Sequence, residues 1–148
     1  MELHRVLPSS DGAHLPRLRV ECRPDDSLPT FGGNQGFATG INGRGQVVGW
    51  AETTIQDPTC NTPQVLQFRA GLWDTQLSTM TELPPLHGDS TSAATAINEV
   101  GQAVGISGDC DVAVGRFSAR HAVLWDHGTA TEIANLGGTS WHHADGDQ

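Results

Sequence analysis

The feature that most constrains this chain is an internal repeat. The segment GINGRGQVVG, Gly40 to Gly49, returns as AINEVGQAVG, Ala96 to Gly105, so the pattern INxxGQxVG recurs after 56 residues with six of nine positions fixed. A second pair reinforces it: AGLWDTQLSTMTELPPL, starting at Ala70, resembles HAVLWDHGTATEIANLGG, starting at His121, with Trp73 and Trp125 separated by 52 residues. A third element, LPTFGG from Leu28, aligns with LPPLHG from Leu83 and IANLGG from Ile133. A repeat of this length is one supersecondary unit that cannot bury its own faces and does so by stacking on its neighbours. The chain divides into a lead-in (1–27), a first unit (28–82), a second unit (83–132) and the opening of a third with a polar tail (133–148).

Each repeated element predicts β structure. Asn is favoured at the first position of a type I turn, where its side chain caps nearby backbone, and a Gly three residues on supplies the positive φ that closes a hairpin with a bulge. Tight hairpins are therefore expected at Asn42 to Gly45 and at Asn98 to Gly101. The apolar runs that follow, Gln46 to Trp50 and Gln102 to Ile106, read as inner strands. Their glycines, Gly49 and Gly105, mark places where a side chain would not fit against a neighbouring sheet. The runs Arg69 to Trp73 and His121 to Trp125, with Thr79 to Leu83 and Thr129 to Ile133, supply a second hairpin per unit. The composition agrees, with 18 Gly, 8 Pro and no long helix-favouring run. The expectation is an all-β fold of consecutive four-stranded antiparallel blade-like repeats, a partial and unclosed β-propeller. Propellers close with four to eight blades, so the chain reads as a fragment of a longer array.

Several function classes are disfavoured. A net charge of −9, with basic residues scattered apart from Arg17, Arg19 and Arg23, argues against nucleic-acid binding. No stretch of 18 apolar residues is present to cross a bilayer, and the first twenty residues lack the apolar core of a signal peptide. No residue pattern calls for a cofactor.

With INGRGQVVG, INEVGQAVG, RHAVLW and TEIANLGG in view, the stretch from Leu28 to Trp141 resembles the HAF-type repeats of extracellular bacterial proteins. The resemblance implies secretion or surface exposure and a propeller-like fold, and it brings no assigned reaction. The name-giving triplet reads His121, Ala122, Val123 here, and Arg69, Ala70, Gly71 in the first unit.

Candidate chemistry is sparse. His142 and His143 beside Asp145 and Asp147 have metal-ligand types, but neighbouring residues on an extended chain point to opposite sides, so they read as a solvated tail. His121 has no nucleophile or carboxylate placed by sequence to partner it, and reads as a structural residue bonded to backbone. Trp73 and Trp125 hold equivalent positions and read as packing between blades, whereas Trp50 and Trp141 have no equivalents and are candidates for exposure. Cys60 and Cys110 lie in the loops joining the hairpins of their units, Ala51 to Gln67 and Ser107 to Arg120. Such loops of adjacent blades emerge on one face, which makes this pair the candidate disulfide and leaves Cys22 unpaired. The glycines of LPTFGG and LGGTSW precede no helix and read as turns, not phosphate cradles.

The functional expectation is a non-catalytic extracellular repeat module, a binding or scaffold unit with its long loops as the recognition surface and its ligand unknown. Alternatives are a glycan-binding or glycan-cleaving propeller fragment, or a truncated remnant without independent function. Exposed blade faces make self-association an expected property.

Overall fold

The computed structural model describes residues 27–110 and 121–134. These residues form eight strands and no helix: β1 (Gly32–Ile41), β2 (Gln46–Gln56), β3 (Leu66–Asp74), β4 (Thr79–Leu83), β5 (Thr91–Ile97), β6 (Ala103–Gly108), β7 (His121–Asp126) and β8 (Thr129–Ile133). They make two separate four-stranded antiparallel sheets, ordered β1-β2-β3-β4 and β5-β6-β7-β8. The two sheets do not close into a barrel or ring.

The first turn of each sheet is built by its asparagine and glycine. Asn42 Oδ1 accepts from the amides of Arg44 and Gln46, both at 3.0 Å, and Asn98 Oδ1 accepts from Val100 and Gln102 at 3.2 and 2.9 Å. Gly45 and Gly101 then take φ of +78° and +89°, a region that side chains with a Cβ rarely enter. The later turns differ. Asp74 caps its own turn by accepting from Gln76 and Leu77, whereas His127 and Gly128 both take positive φ, the signature of a two-residue type I′ turn.

Gly49 and Gly105 are required for a reason other than contact between sheets. The ladder is interrupted by a bulge between Ala38 and Gly40 in β1 and between Ala94 and Ala96 in β5. The bulge pushes a carbonyl toward the next strand, so a Cβ at Gly49 would overlap the Phe37 oxygen and one at Gly105 the Ala93 oxygen. The obstruction is backbone of the same sheet.

The core lies between the sheets. Residues opposite one another in an antiparallel pair share a face. By register, Val48, Leu72, Ala70 and Leu83 therefore occupy one face of the first sheet, and Ala103, Trp125 and Val123 one face of the second. These two faces meet in a single cluster that also takes in Ala94, with Leu86, Ile97 and Ala130 at its margin. Polar groups close the seam. The Ser92 hydroxyl accepts from the Ala70 amide and donates to the Leu83 carbonyl, both at 2.9 Å, and the Thr39 hydroxyl donates to the Ala94 carbonyl at 2.7 Å. The opposite face of the first sheet carries Val47, Ala51 and Trp73, covered by Leu28, Phe31 and Met80.

Candidate functional site

The turn residues Asn42 and Asn98 lie side by side at one end of the stack. Asn42 Nδ2 donates to the Asn98 carbonyl at 3.0 Å, and the Gly43 amide donates to both oxygens of Glu99 at 3.0 and 3.1 Å. One turn therefore grips the next, and this polar chemistry is spent on holding the sheets in register.

At the other end, Cys60 and Cys110 form a disulfide across the two sheets, with Cα atoms 4.6 Å apart. Beneath it the Cys110 amide donates to Thr59 Oγ1 at 2.9 Å, and Thr59 in turn donates through its amide and hydroxyl to Asp57 Oδ1. Asp57 is buried. Burial alone would raise its pKa, but the donors around it outweigh this and hold the carboxyl below its ordinary value: the Ser90 hydroxyl, Thr59 and Gln67. Ser90 acts on that carboxylate from nearby, although its Oγ makes no hydrogen bond of full geometry.

The loop expected over Ala51 to Gln67 is shorter than its sequence suggests. Ala51 to Gln56 continues β2 because Ala51 and Glu52 pair with Arg69 and Phe68 of β3. Only residues 57–65 remain as loop, and part of that loop is committed to the Asp57 network. Most of the companion loop, 111–120, lies outside the described residues, as do Cys22, Trp141, His142, His143, Asp145 and Asp147.

His121 does not bond to backbone. Its Nδ1 lies 2.9 Å from Glu132 Oε1, and its Nε2 lies 3.8 Å from Asp89 Oδ2. Ser107 completes a cluster of types used in hydrolases, but its connections are wrong for a nucleophile. Ser107 stands directly across the ladder from His121, but its hydroxyl donates to Asp89 Oδ2 at 2.6 Å and accepts from the Leu86 amide, and so is engaged away from the imidazole. The corresponding place in the first sheet is held by Arg69, paired with Glu82 at 3.1 Å. A cross-strand pairing of a nitrogen-bearing side chain with a glutamate thus occupies this location in both sheets. Among the described residues, no group of His, Cys, Asp or Glu is arranged to hold a metal ion, and no helix is long and apolar enough to cross a membrane.

The tryptophans sort by environment. Trp73 and Trp125 are buried, and each indole donates to a proline carbonyl, Pro29 at 2.9 Å and Pro84 at 2.7 Å. Trp50, expected to be exposed, is half-buried: it packs against Phe68 with ring centroids 5.1 Å apart and also stacks with the more exposed Phe37 at 6.5 Å. Phe37 also borders a groove of about 380 Å³ lined by Leu28, Pro29, Thr30, Asn34, Gly36 and Trp73.

One feature escaped sequence reasoning. The second sheet has an outer face, by register Val104 with Leu124 and Ala122 with Ile133, that corresponds residue by residue to the inner face of the first sheet. Val48 is 0 % exposed and Val104 37 %, while Leu83 is 2 % exposed and Ile133 45 %. Three of the four matching pairs are covered in the first sheet and exposed in the second, while Leu72 and Leu124 are half-buried alike. Alternation along the strands identifies both faces as apolar, but only the stacking order shows which has a partner. No family model, curated protein or solved structure matches the chain.

Proposed function

We propose that the chain is a non-catalytic extracellular repeat module of the propeller type, acting as a binding or scaffold unit. The observation that carries this reading is the face-to-face stacking of two four-stranded meanders, with Trp125 buried in the seam between them. Such stacking is how propeller blades bury their faces, and the repeated INxxG hairpins and LGG segments resemble those of HAF-type repeats. The Cys60–Cys110 disulfide supports an oxidising, extracytoplasmic setting. The engagement of the Ser107 hydroxyl by Asp89 and the Leu86 amide supports the non-catalytic reading, since a nucleophile must give its proton to its base.

The test combines secretion and activity. Expressed in a bacterial host with an export leader added, the chain should accumulate outside the cytoplasm with the disulfide formed, and should leave a panel of glycosidase and esterase substrates unconverted. Turnover that is lost with His121→Ala would overturn the non-catalytic reading.

A second reading, glycan binding, is favoured by one observation: the exposed ring of Phe37, backed by Trp50, beside the groove next to Trp73. A glycan array showing binding that disappears in Phe37→Ala would establish it, and a blank array would remove it.

A further inference from the structure

We infer that the chain assembles head to tail with further copies of itself, the outer face of β5–β8 in one copy docking on the Trp73-bearing face of β1–β4 in the next. The inference rests on the repeat-module reading and adds the partner and the geometry.

The occupant is identified by the contact already made inside the chain. The inner face of the first sheet, with Val48, Ala70 and Leu83, is covered by the face bearing Ala103, Val123 and Trp125. The counterparts of the covered residues on the second sheet are Val104, Ala122 and Ile133, all exposed and all apolar. The counterparts of the covering residues Ala103 and Trp125 are Val47 and Trp73, on the far side of the first sheet. One copy therefore carries, on opposite sides, an exposed counterpart of the covered face and a partial counterpart of the covering one, in which Gly71 replaces Val123 and Leu28, Phe31 and Met80 already pack on Val47 and Trp73, leaving the exposed Ile41 as its open apolar edge. Ile41 marks the same deficit: its counterpart Ile97 packs at the margin of the intersheet core, whereas Ile41 is 58 % exposed.

The polar fittings also recur. Thr39 donates both to the Val48 carbonyl of its own sheet and across the seam to Ala94. Its counterpart Thr95 makes the first of these bonds, to Val104, and would meet the Ala38 carbonyl of a next copy in place of Ala94. Asn42 reaches across to the Asn98 carbonyl, and the exposed Asn98 stands ready to reach an Asn42 carbonyl in the same way. The Ser92 bridge does not recur, because Gly36 stands at the matching position. Nor does the grip of the Gly43 amide on the Glu99 carboxylate recur, since Gly43 stands where Glu99 would be needed, nor the Cys60–Cys110 disulfide, so the contact between copies lacks these bridges of the internal contact and is the weaker of the two.

Because the two faces differ, the contact is heterologous, so it produces either a closed ring or an open polymer. With two sheets among the described residues of each chain, closure at four to eight blades corresponds to roughly two to four copies.

The experiment uses two exposed positions on opposite faces, Val104→Glu on the tail and Ile41→Glu on the head, with Ala122→Lys as a second tail variant. Circular dichroism and non-reducing mass mapping establish that each retains strand content and the disulfide. Light scattering of the wild-type chain should give a mass of two to four copies, rising with concentration. Each variant alone should remain mostly monomeric where the wild type associates, a weakening of about tenfold or more. Mixing Val104→Glu with Ile41→Glu should restore association, but only as a one-to-one dimer, since one intact head meets one intact tail. A folded wild type that stays monomeric at all concentrations would overturn the assembly and leave the module reading standing, whereas a chain without β signal would overturn both. A mixture that stays monomeric, or a tail variant that associates as strongly as the wild type, would also refute the head-to-tail geometry.

Discussion

The indole Nε1 of Trp125 donates to the carbonyl oxygen of Pro84 at 2.7 Å, tying a strand of the second sheet to the segment that leaves the first. Trp73 makes the same bond to Pro29 at 2.9 Å, but sits outside the intersheet core, in a smaller cluster with Val47, Ala51, Leu28, Phe31 and Met80 beside a groove. Equal residues with equal hydrogen bonds thus sit in unequal packing. Truncating a buried tryptophan costs roughly 3–5 kcal/mol, and less where the surrounding segment can collapse into the space left behind, as the loop residues Leu28 and Phe31 can and the intersheet core cannot. Trp125→Ala should destabilise the chain more than Trp73→Ala, while Trp125→Phe should cost only about 1–3 kcal/mol, mostly the orphaned carbonyl. Urea denaturation of the three variants measures the order, and equal losses for the two alanine variants would contradict the asymmetry.

The Cys60–Cys110 disulfide spans 50 residues of sequence. A covalent link over a loop of that size restricts the unfolded ensemble by roughly 4 kcal/mol on the chain-entropy model. Reduction, or the double variant Cys60→Ser/Cys110→Ser, should therefore lower the denaturation midpoint markedly. Comparing denaturation with and without reductant checks this, with the double variant as the control that reductant must leave unchanged.

Asp57 connects the loop under the disulfide to pH. Its carboxyl is held below its ordinary value in the folded chain. The folded state consequently binds this proton less readily than the unfolded state does. The stabilisation is fully present above the ordinary carboxyl value of 3.8 and is lost as pH falls below it through the lowered folded value. Asp57→Asn should remove that part of the acid dependence, so wild type and variant should converge in stability toward the acid end. A gap between them that stays constant from neutral pH down to about pH 3 would show that Asp57 makes no pH-linked contribution.

How much of this was legible in the letters varies with range in sequence. Strands β4 and β8 fall at Thr79–Leu83 and Thr129–Ile133, where short apolar-polar alternation follows turn chemistry in DTQ and DHG. Those signals act over a few residues and need no tertiary information. The extension of β2 to Gln56 was missed although Thr53, Thr54 and Ile55 are β-branched and favour strands; its pairing is long-range, Thr53 with Gly32 of β1 and Glu52 and Gln56 with Phe68 and Leu66 of β3. The carboxylates around His121 were hidden for the same reason. Glu132 reaches it through the pairing of β7 with β8, and Asp89 comes from a segment more than thirty residues earlier. The bare face at Val104 and Ile133 was beyond the letters too, since the sequence gives both sheets the same apolar pattern and only stacking distinguishes them.

The two turn asparagines provide the last test, because they share a motif and differ only in neighbours. Asn42 is 7 % exposed and holds four hydrogen bonds through its side chain: from the Arg44 and Gln46 amides, to Gln46 Oε1, and across to the Asn98 carbonyl. Asn98 makes the first three equivalents, at Val100, Gln102 and the Gln102 side chain, but is exposed and reaches nothing beyond its own turn. Loss of a cap at a solvated turn is partly replaced by water, so Asn98→Ala should cost about 1 kcal/mol. Asn42→Ala leaves two part-buried amides without their acceptor and cuts a link between the sheets, and should cost roughly 2–3 kcal/mol. If copies associate through this end, the difference narrows at high protein concentration, because Asn98 then acquires the partner that Asn42 already has. Denaturation midpoints of both variants at low and high concentration read this directly: a gap that is absent at low concentration would remove the distinction between the two turns.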